Sequence, residues 1–158
     1  MYAMRLALAL ALFAPLYAQD TLTIAGDVTS PLTLSKADLA KMPRTSVTMN
    51  VEGKESTYEG MLLYDILTQA GAPLSKQLTG KALATYILAE ARDGYQVVYT
   101  LTEIDPSFTG NKIIVADTVN GKPLVQDQGP FRVVVPGEKK AARSVRMVEK
   151  INVVRLRK

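Results

Sequence analysis

Alternating apolar and polar positions run through most of the chain, and they predict strands more often than helices. Thr21 to Ala25 alternates and predicts a first strand ending at Gly26-Asp27. Pro31 to Leu34 predicts a second short extended piece. Ser35-Lys36-Ala37-Asp38 has the layout of a capping box with Leu39 and Met42 as apolar contacts, so a helix is expected until Pro43 stops it. Arg44 to Val51 alternates again through Val47, Met49 and Val51. Gly53 breaks the run, and Ser56 to Glu59 returns as its hairpin partner.

The clearest helix is expected over Gly60 to Gly71, where Leu63, Ile66, Leu67 and Ala70 share one face and Gly71 is placed to end it. Pro73 to Gly80 reads as a polar loop. Leu83 to Ala91 and Tyr95 to Thr100 predict strands joined at Arg92-Asp93-Gly94, with Tyr95 and Tyr99 on one core-facing side. One helical turn is expected over Leu101 to Asp105, closed by Pro106. Lys112 to Thr118 predicts a buried strand, and Asn120-Gly121 a turn into Pro123 to Val125. Phe131 to Val135 is a short β-branched run that predicts a buried strand closed by Pro136-Gly137. A turn near Ala142 to Val145 and an alternating strand over Val148 to Leu156 complete the chain. Strands dominate over two short helices, so the fold class is mixed, strand-rich α+β, with no internal repeat, linker or second domain.

The first 18 residues read as a targeting segment. Arg5 precedes an apolar run from Leu6 to Leu16, and Tyr17-Ala18 leads into polar Gln19-Asp20, the pattern of a secretory signal peptide cleaved after Ala18. The run is short for a bilayer span, and an uncleaved anchor is the alternative. Residues 19–158 are then a single exported domain, periplasmic or secreted, with no stable membrane span after cleavage.

Composition narrows the chemistry. The 158 residues contain no Cys and no His, which removes thiolate nucleophiles, disulfides, His-based triads and nearly every zinc or copper site. Charge is uneven. From Gly129 onward nine basic residues face two acidic ones (+7), whereas residues 19–128 hold nine basic against thirteen acidic (−4). A basic end on an acidic body points to an anionic partner. Nucleic acid is not expected, because the basic end has few aromatics on which bases could stack.

Candidate chemistry gathers in GPFRVVVPGEKKAAR, Gly129 to Arg143. A rigid strand carries Arg132 and delivers the chain into Lys139, Lys140, Arg143 and Arg146. An arginine fork there matches phosphate or carboxylate, and Gly129 permits a close backbone approach. Arg132 could equally be a strand-face arginine paired with Asp127, and the lysines a solvated surface. Asp105 and Asp117 carry no sign of meeting as an acid–base pair.

The segments GDVTSPLTLSKADLAKMP, YEGMLLYDILTQAGA, ARDGYQVVYTLTEID, VADTVNGKPL and GPFRVVVPGEKKAARSV, in this order, resemble the oxidoreductase molybdopterin-binding domain of sulfite-oxidase type, and most closely its short, secreted, stand-alone members. The resemblance implies that family's fold, an oxidoreductase ancestry and a molybdopterin pocket. It places Arg132 near substrate and cofactor. Lys139, Lys140 and Arg143 fall toward the pterin phosphate, and Asp93 on a turn close to the cleft. It also implies that Asn50 occupies the position where catalytic members carry a molybdenum-ligating cysteine. A neutral amide is a poor ligand for a metal held through sulfur. Arg5 alone precedes the apolar run, so the signal lacks the twin arginine that cofactor-loaded enzymes use to leave the cytoplasm folded. The expectation is therefore an exported, non-redox module that binds a small anion or an envelope protein, with no metal ligand and no catalytic residue assigned. A molybdopterin enzyme without a cysteine ligand and an envelope assembly partner are the alternatives.

Overall fold

The computed structural model describes residues 20–156; the expected signal segment, residues 1–18, lies outside them. The elements are β1 (Thr21–Gly26), β2 (Leu32–Ser35), α1 (Lys36–Leu39), β3 (Arg44–Val51), β4 (Lys54–Leu62), α2 (Leu63–Gln69), β5 (Thr85–Ala91), β6 (Gln96–Thr100), β7 (Ile114–Val119), β8 (Lys122–Pro123), β9 (Arg132–Val134) and β10 (Val148–Arg155). Short 3₁₀ turns fill several connections, including Gln126–Gln128 and Ala141–Arg143.

One sheet runs β2-β1-β10-β5-β6, with the C-terminal strand at its centre, parallel to β1 and antiparallel to β5. The other runs β3-β4-β7-β8, and β9 also pairs with β7. A large apolar core lies between the sheets and under the helices, from Leu22 and Ile24 through Leu63, Ile66 and Leu67 to Ile151 and Val153. A smaller cluster of Val47, Met49, Tyr58, Ile114, Ala116, Leu124 and Val134 covers the opposite face of the second sheet. The mixed α+β class, rich in strand with two short helices, is the one read from the pattern.

The period of two decides what β9 offers to each side. Phe131, Val133 and Val135 enter the large core, whereas Val134 joins the small cluster, and Arg132 falls on that same side. The expected buried strand is thus present, shortened to three residues by the turns at either end.

Several elements differ in their bounds from the sequence reading, most clearly α2, β5 and β6. Helix α2 begins at Leu63, because Gly60, Met61 and Leu62 are drawn into β4 by pairing with Ala116, Val115 and Ile114. A Cβ at Gly60 would lie 2.0 Å from the Val115 carbonyl oxygen, so this approach needs glycine. Strand β5 starts two residues late, since Gly80–Ala84 forms a 3₁₀ turn. Tyr99 is fully buried but Tyr95 is 49% exposed: it precedes β6 and donates from its hydroxyl to the Ala142 carbonyl. The capping box at Ser35 is present, with Ser35 and Asp38 satisfying each other's backbone N–H groups.

Candidate functional site

Strands β3 and β4 build the floor. Their register pairs Val47 with Tyr58, Met49 with Ser56 and Val51 with Lys54, so these six residues share the face that carries the small cluster. The Glu52-Gly53 turn, with φ of 53° and 79°, closes the hairpin. Strand β9 brings Arg132 over this floor. Arg132 is only 3% exposed, and its guanidinium lies 5.0 Å from the centre of the Tyr58 ring. Nη1 donates to the Tyr58 hydroxyl and to Gln128 Oε1, both at 2.8 Å.

The remaining donors are unmatched. Nε is buried without a partner, and Nη2 donates to no acceptor among the described residues. No carboxylate among the described residues forms an ion pair with Arg132. Burial pulls its pKa below the ordinary arginine value, and the charge on Arg146 acts in the same direction while Tyr58 opposes it. Arginine does not give up its proton on such a scale, so the charge persists in a site that penalises it. Arg132 lines a cavity of about 330 Å³ together with Met49, Val51, Glu52, Lys54, Ser56, Tyr58, Ala141 and Arg146. Three cations against one carboxylate face this space, and its Met49–Val51–Ala141 side is apolar.

The other predicted site residues separate. Arg143 lies 4.9 Å over the Tyr99 ring and bridges Glu138 and Glu103, so its charge is met within the chain. Burial lowers its pKa, but the hydrogen bond to Glu103 and both carboxylate charges raise it overall. Lys139 and Lys140 are exposed, make no ion pair with a described residue and do not line this cavity. Asn50 is exposed on the reverse face of β3, and its Oδ1 accepts the Gly53 N–H at 3.1 Å. Strand alternation turns it away from the cavity that Met49 and Val51 line. Asp93 accepts the Tyr95 N–H and borders a second cavity of about 340 Å³, which shares Ala141 and Arg146 with the first. Gly129 makes its close approach to the Leu124 carbonyl rather than to the cavity. Asp105 and Asp117 have separate partners: Ser75 and Ser107 for one, Arg44 and Thr118 for the other.

Tyr58, Gln128 and Lys54 were not singled out from sequence. The Val47–Met49–Val51 alternation, folded back at Gly53, would have placed Tyr58 and Lys54 on the same face. Gln128 carries no such signal.

The strand-rich, two-sheet architecture matches a fold of sulfite-oxidase type. The oxidoreductase molybdopterin binding domain family matches residues 14–158, and the chain belongs to it. Among solved structures the chain is similar to the sulfane dehydrogenase SoxCD from Paracoccus pantotrophus, with a TM-score of 0.69 and 21% identity. That match covers 86% of this chain and 38% of the other, so the chain spans well under half the length of that protein. No curated protein matches significantly.

The residues present do not fit a molybdenum centre of the family's kind. The sequence has no thiolate to offer, and the Asn50 amide is committed to its own turn. On the cavity side of β3 the one sulfur is the Met49 thioether, which accepts the Ser144 hydroxyl at 3.5 Å. Among the described residues no group of three or more acidic side chains could hold a metal ion instead.

Proposed function

We propose that this is an exported, non-redox member of the family that binds a small anion at Arg132. The observation that carries the reading is the charged Arg132 guanidinium, whose Nε is buried without a partner and whose Nη2 meets no acceptor among the described residues. The Nε–Nη2 edge is the one a carboxylate or other oxyanion meets with two parallel hydrogen bonds. Lys54 and Arg146 add to the attraction, and the cavity volume suits a small ligand. The absence of cysteine supports binding without molybdenum chemistry. Residues 1–18 support export, and no helix of the described residues is long and apolar enough to cross a membrane.

A thermal-shift screen with acetate, sulfate and phosphate tests the reading. Wild-type protein and Arg143→Met are expected to be stabilised by at least one of these anions at constant ionic strength, and Arg132→Met by none. Equal responses in wild type and Arg132→Met would overturn it. Family membership keeps one alternative in view, molybdopterin bound without a cysteine. Protein purified from its native envelope is expected to release no pterin fluorescence and to contain no molybdenum. Stoichiometric amounts of both would replace the non-redox reading.

A further inference from the structure

The two cavities share Arg146 and Ala141 in their linings, and their charges are opposite. The first holds Arg132, Lys54 and Arg146 against Glu52. The second holds Asp93 and Asp127 against Arg146 alone. Neither aspartate forms an ion pair with a described residue, and Asp127 makes no hydrogen bond to one. Arg146, which lines both lobes, has no ion pair among the described residues either, so it offsets the two aspartates only in part. The anchor is Arg132, whose side chain lines the first lobe and whose buried Nε has no protein acceptor. A simple anion would meet that edge and leave Asp93 and Asp127 facing water.

Resting on the anion reading above, we infer that the ligand is dipolar: an amino-carboxylate whose carboxylate meets Arg132 and whose ammonium group reaches Asp93 and Asp127 across Arg146. A planar carboxylate matches the Nε–Nη2 edge in two-point fashion. An ammonium group donates to carboxylates in any direction, which suits two aspartates on separate loops. Between the two ends, Ala141 and Met49 offer apolar surface to a methylene chain. The same polarity disfavours inorganic dianions and dicarboxylates, which would bring negative charge to the acidic lobe.

Calorimetric titration of the mature chain separates this inference from the one beneath it. The probes are glycine, 4-aminobutyrate and 6-aminohexanoate, each compared with acetate, butyrate or hexanoate. At least one amino acid is expected to bind about fivefold more tightly than its amine-free counterpart, the preference that one partly exposed ion pair supplies. Asp93→Asn with Asp127→Asn is expected to erase that preference, while the amide oxygen left by the first of these substitutions still accepts the Tyr95 N–H. Equal binding of both series to wild type overturns the dipolar inference and leaves the anion site standing. A preference that survives the double substitution also overturns it. Binding of neither series, with no response to sulfate or phosphate, overturns the anion site as well.

Discussion

Arg132 and Arg143 lie within one short stretch and make the same local contact, a guanidinium over a tyrosine ring at 5.0 and 4.9 Å. Their surroundings differ. Arg143 is half-buried between Glu103 and Glu138, and its own carbonyl accepts the Tyr99 hydroxyl. Arg132 is buried against Tyr58 and Gln128, two neutral groups that satisfy Nη1 and leave its charge unopposed. A desolvated ion without a counterion costs several kcal/mol, and attraction to a neutral ring recovers only part of that. The contrast teaches that the arginine–tyrosine pair is not itself the functional signal. Where the chain supplies the carboxylates, the pair fastens the segment after β9 to the turn at Leu101–Glu103. Where it supplies none, the arginine charge has no carboxylate partner among the described residues.

Replacing each arginine by methionine breaks the comparison at its strongest point. Arg143→Met strands Glu103 and Glu138 and removes the stacking on Tyr99, so urea denaturation should show a loss of about 1–2 kcal/mol. Arg132→Met removes a charge that folding had to desolvate, and stability should change by less than about 1 kcal/mol in either direction. Its cost should instead appear as loss of anion-induced stabilisation. A large destabilisation by Arg132→Met, of the size seen for Arg143→Met, would make the two pairs equivalent.

The pH dependence sharpens the same contrast. Burial pushes the Glu103 carboxyl up, but hydrogen bonds from Arg143 and Thr100 outweigh it and hold the folded-state pKa below the ordinary glutamate value. A depressed carboxyl stabilises the fold above its unfolded pKa and loses that contribution as pH falls through the folded value. The stability difference between wild type and Arg143→Met should therefore be largest near neutrality and shrink below about pH 4. For Arg132→Met the difference should stay level over that range, because no carboxylate of the described residues is paired with Arg132. Asp105 and Asp117 are also held low, burial being outweighed by their hydrogen bonds, and they contribute an acid limb common to all three proteins.

The smallest effect is expected at the lysines. Lys139→Ala with Lys140→Ala should alter stability by less than about 0.5 kcal/mol and leave carboxylate affinity intact. A marked loss of affinity would return these residues to the site.

Much of this was legible along the chain. The alternation in β1, β3, β5 and β10, the capping box at Ser35 and the strand carrying Arg132 follow from local patterns, and the structure bears them out. What local pattern could not supply was register over distance. Gly60 reads as helix until β7 pairs with it, and Arg143 reads as a free cation until Glu103, forty positions away, is brought alongside. Asn50 was assigned by resemblance, yet the period of β3 turns it to the far face. Lys139 and Lys140 belong to the same basic run as Arg132, but after Pro136-Gly137 that run no longer keeps one direction.

The most direct measurement follows the side-chain Nε–H signals of Arg132 and Arg143 by nitrogen-15 NMR during titration with 4-aminobutyrate and acetate. Substitution to methionine assigns each signal. The prediction is a saturable downfield shift of the Arg132 Nε–H as it acquires its acceptor, with the Arg143 signal unchanged. An Arg132 Nε–H that stays in place while a ligand binds, or that moves only together with Arg143, would contradict the claim that this edge is the anion-binding element of the protein.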